Sequence, residues 1–129
     1  MKKLKVAFAT DDGKTFMGRH FGDAEHYYIY EIDNGNAKFI KIIDNTTEEE
    51  DMHADPKKAK GISNLLLEED VSVVVSKIFG PNIKRIKKKF VCIVVKDEEL
   101  DVGIRKVCES IGKIYDEWEK GEERKHLSF

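Results

Sequence analysis

The sequence predicts a three-layer α/β domain, with a five-stranded mixed sheet in the order 3-2-1-4-5 and helices on both faces. Three observations carry that expectation. The first 45 residues read as short strands separated by turn residues, two later runs are almost wholly β-branched, and amphipathic helical stretches separate and follow those runs. A hairpin-rich front joined to a βαβαβ rear gives a mixed sheet covered by helices.

Lys5 to Thr10 (KVAFAT) is a short strand run, stopped by Asp11-Asp12-Gly13. A glycine-containing loop follows as far as Asp23. His26 to Ile32 (HYYIYEI) is aromatic and β-branched, as a strand should be. Asp33-Asn34-Gly35-Asn36 supplies residues that tolerate positive φ, a strong hairpin signal, and Ala37 to Ile43 returns as the partner. Asp44 to Asp55 is polar and acidic and reads as a long solvated connection carrying His53. Asp55-Pro56 then starts a helix, an N-cap followed by proline in the first turn, with Ala59, Ile62, Leu65 and Leu66 on one face.

Val71 to Ser76 (VSVVVS) and Val91 to Val95 (VCIVV) suit strands covered on both sides. Gly80-Pro81-Asn82 opens a helix between them, with Ile83, Ile86 and Phe90 inward and five cations completing it. Asp101 caps a last helix that runs through Ile104, Val107, Ile111, Ile114 and Trp118. Residues from Gly121 form a charged tail. With right-handed crossovers and the first strand beside Val71–Ser76, the order is the ribonuclease-H-like arrangement.

Composition bounds the function. The 129 residues fit one domain, placed at residues 1–120 before a tail at 121–129. Charged residues make up 37%, well above the roughly 25% of ordinary globular chains. They nearly cancel, 23 Lys and Arg against 25 Asp and Glu, so nucleic acid is not the expected partner. Glutamine is absent and Lys and Glu dominate, the bias of a heat-adapted source. No run resembles a secretory signal or a membrane span, and two cysteines make no disulfide framework, so a cytoplasmic protein is expected.

The expected ligand cleft lies at the carboxyl ends of the adjacent parallel strands. One loop brings Asp11, Arg19, His20, Phe21 and Gly22; the other brings Ser76, Lys77 and a helix start at Gly80, Pro81 and Asn82, whose backbone N–H groups would receive an anion. His20 and His53 are the loop residues able to ligate a metal. Cys92 and Cys108 sit in apolar patterns and read as core.

These features together (KVAFATDDG, HFGDAEHYYIYEIDNG, FIKIIDN, VSVVVSKIFGPN, a Lys-rich helix and VCIVV) resemble the dinitrogenase iron–molybdenum cofactor biosynthesis family, the small NifX-like domains also found at the end of NifB-type proteins. The likeness runs from about Lys3 to about Glu119. It implies a ribonuclease-H-like domain that binds or carries an iron–sulfur or iron–molybdenum cluster precursor without catalysing a reaction, in contact with cofactor-assembly proteins. It also implies that His20-Phe21-Gly22 and Gly80-Pro81-Asn82 form the binding site. Bulky Lys77, Ile78 and Phe79 stand where many relatives are glycine-rich, which implies a narrower or differently lined pocket.

Two other readings fit the same residues. A ribonuclease-H-like nuclease needs clustered carboxylates for divalent metals; Asp11 and Asp12 are present, but the fourth strand ends in Ser76-Lys77. A cofactor-free interaction or regulatory module would use the acidic connection as its contact surface.

Overall fold

The computed structural model describes residues 3–45 and 56–129. Six strands form a single sheet: β1 (Lys3–Thr10), β2 (His26–Asp33), β3 (Asn36–Asp44), β4 (Val73–Ser76), β5 (Val91–Val94) and β6 (Leu127–Ser128). Their order is β3-β2-β1-β4-β5-β6. The β1–β2 and β2–β3 pairs are antiparallel, and β1–β4, β4–β5 and β5–β6 are parallel. The expected 3-2-1-4-5 order is therefore present, and the expected strand count of five is corrected to six.

The sixth strand arises from the segment expected to be a charged tail. Leu127 is buried there, Phe129 packs partly buried against the same core, and Arg124 holds the segment down. The Arg124 Nε donates to the Trp118 carbonyl at 3.0 Å, Nη1 donates to the Lys88 carbonyl at 3.0 Å, and the guanidinium lies 4.2 Å from the Trp118 ring centre. A cation held by two carbonyls and an aromatic face is a strong local anchor.

Helix α1 (Pro56–Glu68) and the single turn α2 (Ile83–Ile86) cover one face. There Ile62, Leu66 and Ile86 pack with Ala7, Ala9, Tyr27, Ile29, Val74 and Cys92. Helices α3 (Leu100–Glu109) and α4 (Ile111–Trp118) cover the other, where Leu100, Val107 and Ile114 pack with Val6, Phe8, Ile32, Val73, Val75 and Ile93. The strand pleat sends alternate residues of β1 and β4 to opposite cores, so these strands read as continuous apolar runs.

The last helix also differs from expectation. It starts at Leu100 with Glu99 at the cap position, not Asp101, and it breaks at Ser110, whose backbone (φ −112°, ψ 19°) is not helical. The front hairpin follows its sequence signal: Asn34 and Gly35 have φ of 55° and 85°, the pair of positive values a tight hairpin turn needs. Among the described residues no helix is long and apolar enough to cross a membrane.

Candidate functional site

Parallel pairing of β1 with β4 brings the loops after both strands to one edge of the sheet. The first loop, residues 11–25, is held by its own carboxylates. Asp12 Oδ1 accepts the backbone N–H groups of Lys14 and Thr15, each at 2.8 Å, and both its oxygens accept from the Thr15 hydroxyl. These donors favour the charged carboxylate and hold its pKa down at about 2, the Lys14 amide contributing most. Asp11 grips the far end: both its oxygens accept from Arg19 Nη2, at 2.7 and 2.6 Å, and Oδ1 also accepts the Glu25 amide at 2.9 Å. That hydrogen-bonded pairing raises the Arg19 pKa.

The second loop, residues 77–82, is held differently. Phe79 is buried and stacks on Phe21, with ring centres 5.2 Å apart and planes 23° apart. Phe21 in turn packs on Tyr27 at 5.1 Å, and the Tyr27 hydroxyl donates to the Phe21 carbonyl at 2.6 Å. Phe21 N–H donates to the Ile78 carbonyl at 2.8 Å, which also accepts the Ser76 hydroxyl at 3.2 Å. A one-residue parallel bridge between His20 and Ile78 zips the loops together.

This bridge sets His20 beside Gly80. A Cβ built on Gly80 would lie 2.5 Å from His20 Nδ1 and 2.7 Å from its Cε1, closer than any side chain tolerates. Gly80 also has φ of +73°, a left-handed conformation that an L side chain resists. Glycine is thus required twice, once for the backbone turn and once for the imidazole packed on it. The ring is half-buried, with Nδ1 turned inward.

Of the residues expected at the site, His20, Gly80, Phe21 and Ser76 converge, with distinct roles. His20 and Gly80 form the contact, whereas Phe21 and Ser76 are fully buried supports beneath it. Gly22 supplies a carbonyl that accepts Asn45 Nδ2 at 3.0 Å. Arg19, one residue before His20, closes on Asp11 at the start of the same loop. Pro81 is exposed; Asn82 is buried, and its Oδ1 accepts Arg85 Nη1 at 3.2 Å.

The expected anion cradle at this helix start is not formed. Helix α2 is one turn, and the amides of Ile83, Lys84 and Arg85 donate to the carbonyls of Gly80, Pro81 and Asn82. His53 lies outside the described residues. Burial pushes the Cys92 thiol up to about 12 and the Cys108 thiol upward as well, so neither is poised as a thiolate. No three His, Cys, Asp or Glu side chains converge among the described residues. Asp11 and Asp12 are both engaged within their own loop, which leaves no carboxylate cluster for a two-metal nuclease there.

Two participants escaped the sequence reading. Asn45, at the end of β3, donates through Nδ2 to the carbonyls of Gly22 and Ala24, tying the His20 loop to the sheet edge. A third segment, residues 96–100, closes the rim. Phe16 N–H donates to the Glu98 carbonyl, Leu100 N–H donates to the Lys14 carbonyl, and Lys77 pairs with the Glu98 carboxylate. Gly103 lets α3 approach that rim, since a Cβ there would fall 2.5 Å from the Phe16 ring. Only the small residue within an apolar helical period hinted at this approach.

A sequence profile described as dinitrogenase iron–molybdenum cofactor matches residues 2–113. Among solved structures, the chain is similar to a crystal structure at 1.70 Å of a candidate dinitrogenase from Methanocaldococcus jannaschii, at 25% identity and a TM-score of 0.62, covering 85% of this chain and 92% of that one. An NMR structure of a candidate dinitrogenase from Methanococcus jannaschii gives the same identity and TM-score, covering 86% and 92%. No curated protein matches the sequence significantly.

Proposed function

Because this chain belongs to the dinitrogenase iron–molybdenum cofactor family, which is involved in the biosynthesis and binding of that cofactor, we propose that it is a non-enzymatic carrier. Its cargo is an iron–sulfur metallocluster or an iron–molybdenum cofactor precursor. It works in the cytoplasm between cofactor-assembly proteins, on a ribonuclease-H-like scaffold. The observation that carries the reading is the imidazole of His20 seated on Gly80 at the carboxyl edge of the sheet.

Imidazole is a good ligand for iron. The ring packs on Gly80, and the His20–Ile78 bridge together with the Phe21–Phe79 stack fixes the two loops that position it. One attachment point is what a transient cargo needs. A closed set of four ligands holds a resident cluster tightly, whereas a single imidazole lets it leave. Arg19 and Lys77 sit at the rim in exposed pairs with Asp11 and Glu98, and such pairs are weak enough for an anionic cargo to take over the cation.

The test is anaerobic loading with iron and sulfide, followed by desalting, metal analysis and visible absorbance. The parent chain is expected to retain iron and colour; His20→Ala should lose both, while His126→Ala retains them. Equal retention by His20→Ala removes His20 from the site. A parent chain that retains no iron overturns the carrier reading.

A further inference from the structure

One surface is not used by this site. From Ile78 to Val95 the chain carries Lys84, Arg85, Lys87, Lys88 and Lys89 and not one aspartate or glutamate. The rest of the chain holds 18 Lys and Arg against 25 Asp and Glu, so a single basic island lies in an acid-rich molecule.

The fold turns that run into a patch. Ile86 and Phe90 are buried and fix the segment's inner side, while Lys84, Arg85, Lys88 and Lys89 are exposed. After α2 the backbone stays turned: Lys87 N–H donates to the Ile83 carbonyl at 2.9 Å and Lys89 N–H to the Ile86 carbonyl at 3.0 Å. From below, the buried Arg124 grips the Lys88 carbonyl. The lysine backbones are therefore held in place before any partner arrives, which lowers the ordering cost of binding. Among the described residues, ion pairs use Lys3, Arg19, Lys41, Lys77, Lys106 and Lys120, and none of the five cations of the patch.

Clustered like charges repel one another, and no ion pair among the described residues offsets that cost. We propose that residues 84–89 are the docking surface for an acidic protein partner. A nucleic acid fits less well for two reasons. Phe79 and Phe90 are buried, so no aromatic ring of the segment is available for base stacking. A long polyanion would also run off the patch onto the acid-rich remainder, whereas an acidic patch of limited extent meets only the cations. The patch starts near the cleft, where Arg85 donates to Asn82, and runs to the opposite edge of the sheet, where Val91 begins β5 beside Val73. The proposal does not require a cluster at His20, so either reading can fail without the other.

The test measures binding of a fluorescent polyglutamate peptide to the full chain at about 0.15 M ionic strength, where the screening length is about 8 Å. Two variants reverse three exposed charges each and so have equal net charge. One is Lys84→Glu, Lys88→Glu, Lys89→Glu, and the other is Lys14→Glu, Lys38→Glu, Lys96→Glu. The patch variant should weaken the peptide about tenfold or more and the other about twofold or less, since short-range contacts and not net charge decide screened binding. If circular dichroism shows the patch variant unfolded, glutamine at the same three positions replaces it. Equal weakening by both variants overturns the proposal. So does an absence of peptide binding, or tighter binding of a single-stranded oligonucleotide of the same charge.

Discussion

The two loops that meet at the cleft are fixed by opposite means. Residues 11–25 are held by carboxylates, Asp12 capping one turn and Asp11 clasping Arg19 and the Glu25 amide. Residues 77–82 are held by ring stacking and by a glycine with no room for a side chain. The difference separates two kinds of sensitivity. The polar loop should respond to pH and tolerate changes of shape, and the apolar loop should ignore pH and tolerate almost no change of shape. His20 belongs by sequence to the first loop but rests on the second, so its position depends on both.

The largest effect is expected beneath the second loop. Phe79 is buried against Phe21, and Phe79→Ala would empty an aromatic-sized space, a change that costs about 3–5 kcal/mol in well-packed cores. Chemical denaturation should show the loss, with the same difference from the parent at neutral pH and at pH 5. A loss under about 1 kcal/mol would mean that the stack is not what holds this loop.

Gly80→Ala comes next. The left-handed backbone costs a non-glycine residue roughly 1–2 kcal/mol, and the methyl group must also displace the imidazole. The distinguishing readout is the His20 ring resonance in NMR: it should move while those of His26 and His126 stay. An unmoved His20 signal would show that the ring does not rest on Gly80.

How much of this was legible follows from the range of the interactions. The strand order could be read because it rests on local periodicity and on hairpin chemistry such as Asn34-Gly35, which act within a few residues. His20 and Gly80 were each visible as loop residues, and the topology made their meeting expected. The roles of Phe21 and Ser76 were not legible, because a loop phenylalanine and a strand-end serine look the same whether they line a cleft or support it. Strand β6 was hidden by its surroundings: two residues among charges carry no period, and their pairing depends on Arg124 reaching Trp118 and Lys88. The one-turn α2 was read as a longer helix with free amides because Lys-rich sequence favours helix, whereas the burial of Ile86 and Phe90 sends the chain straight into β5. Asn45 and Gly103 act across 21 or more residues and across helix packing, which no local pattern reports.

The smallest effect is expected in the carboxylate-held loop and appears only with pH. The Asp12 pKa is about 2 when folded against an ordinary 3.8, because the Lys14 and Thr15 amides and two hydroxyls stabilise the charged form. A carboxylate depressed by folding contributes stability that is fully present above its unfolded pKa and is lost as pH falls through the folded value. Asp12→Asn keeps an oxygen acceptor but removes the charge. The thermal midpoint of the parent should therefore exceed that of Asp12→Asn above about pH 4, and the gap should close between pH 4 and pH 2. Phe79→Ala should show no such closure, because no titrating group is lost. A constant gap for Asp12→Asn across that window would mean that the carboxylate acts through shape alone, and the division between the two loops would fall.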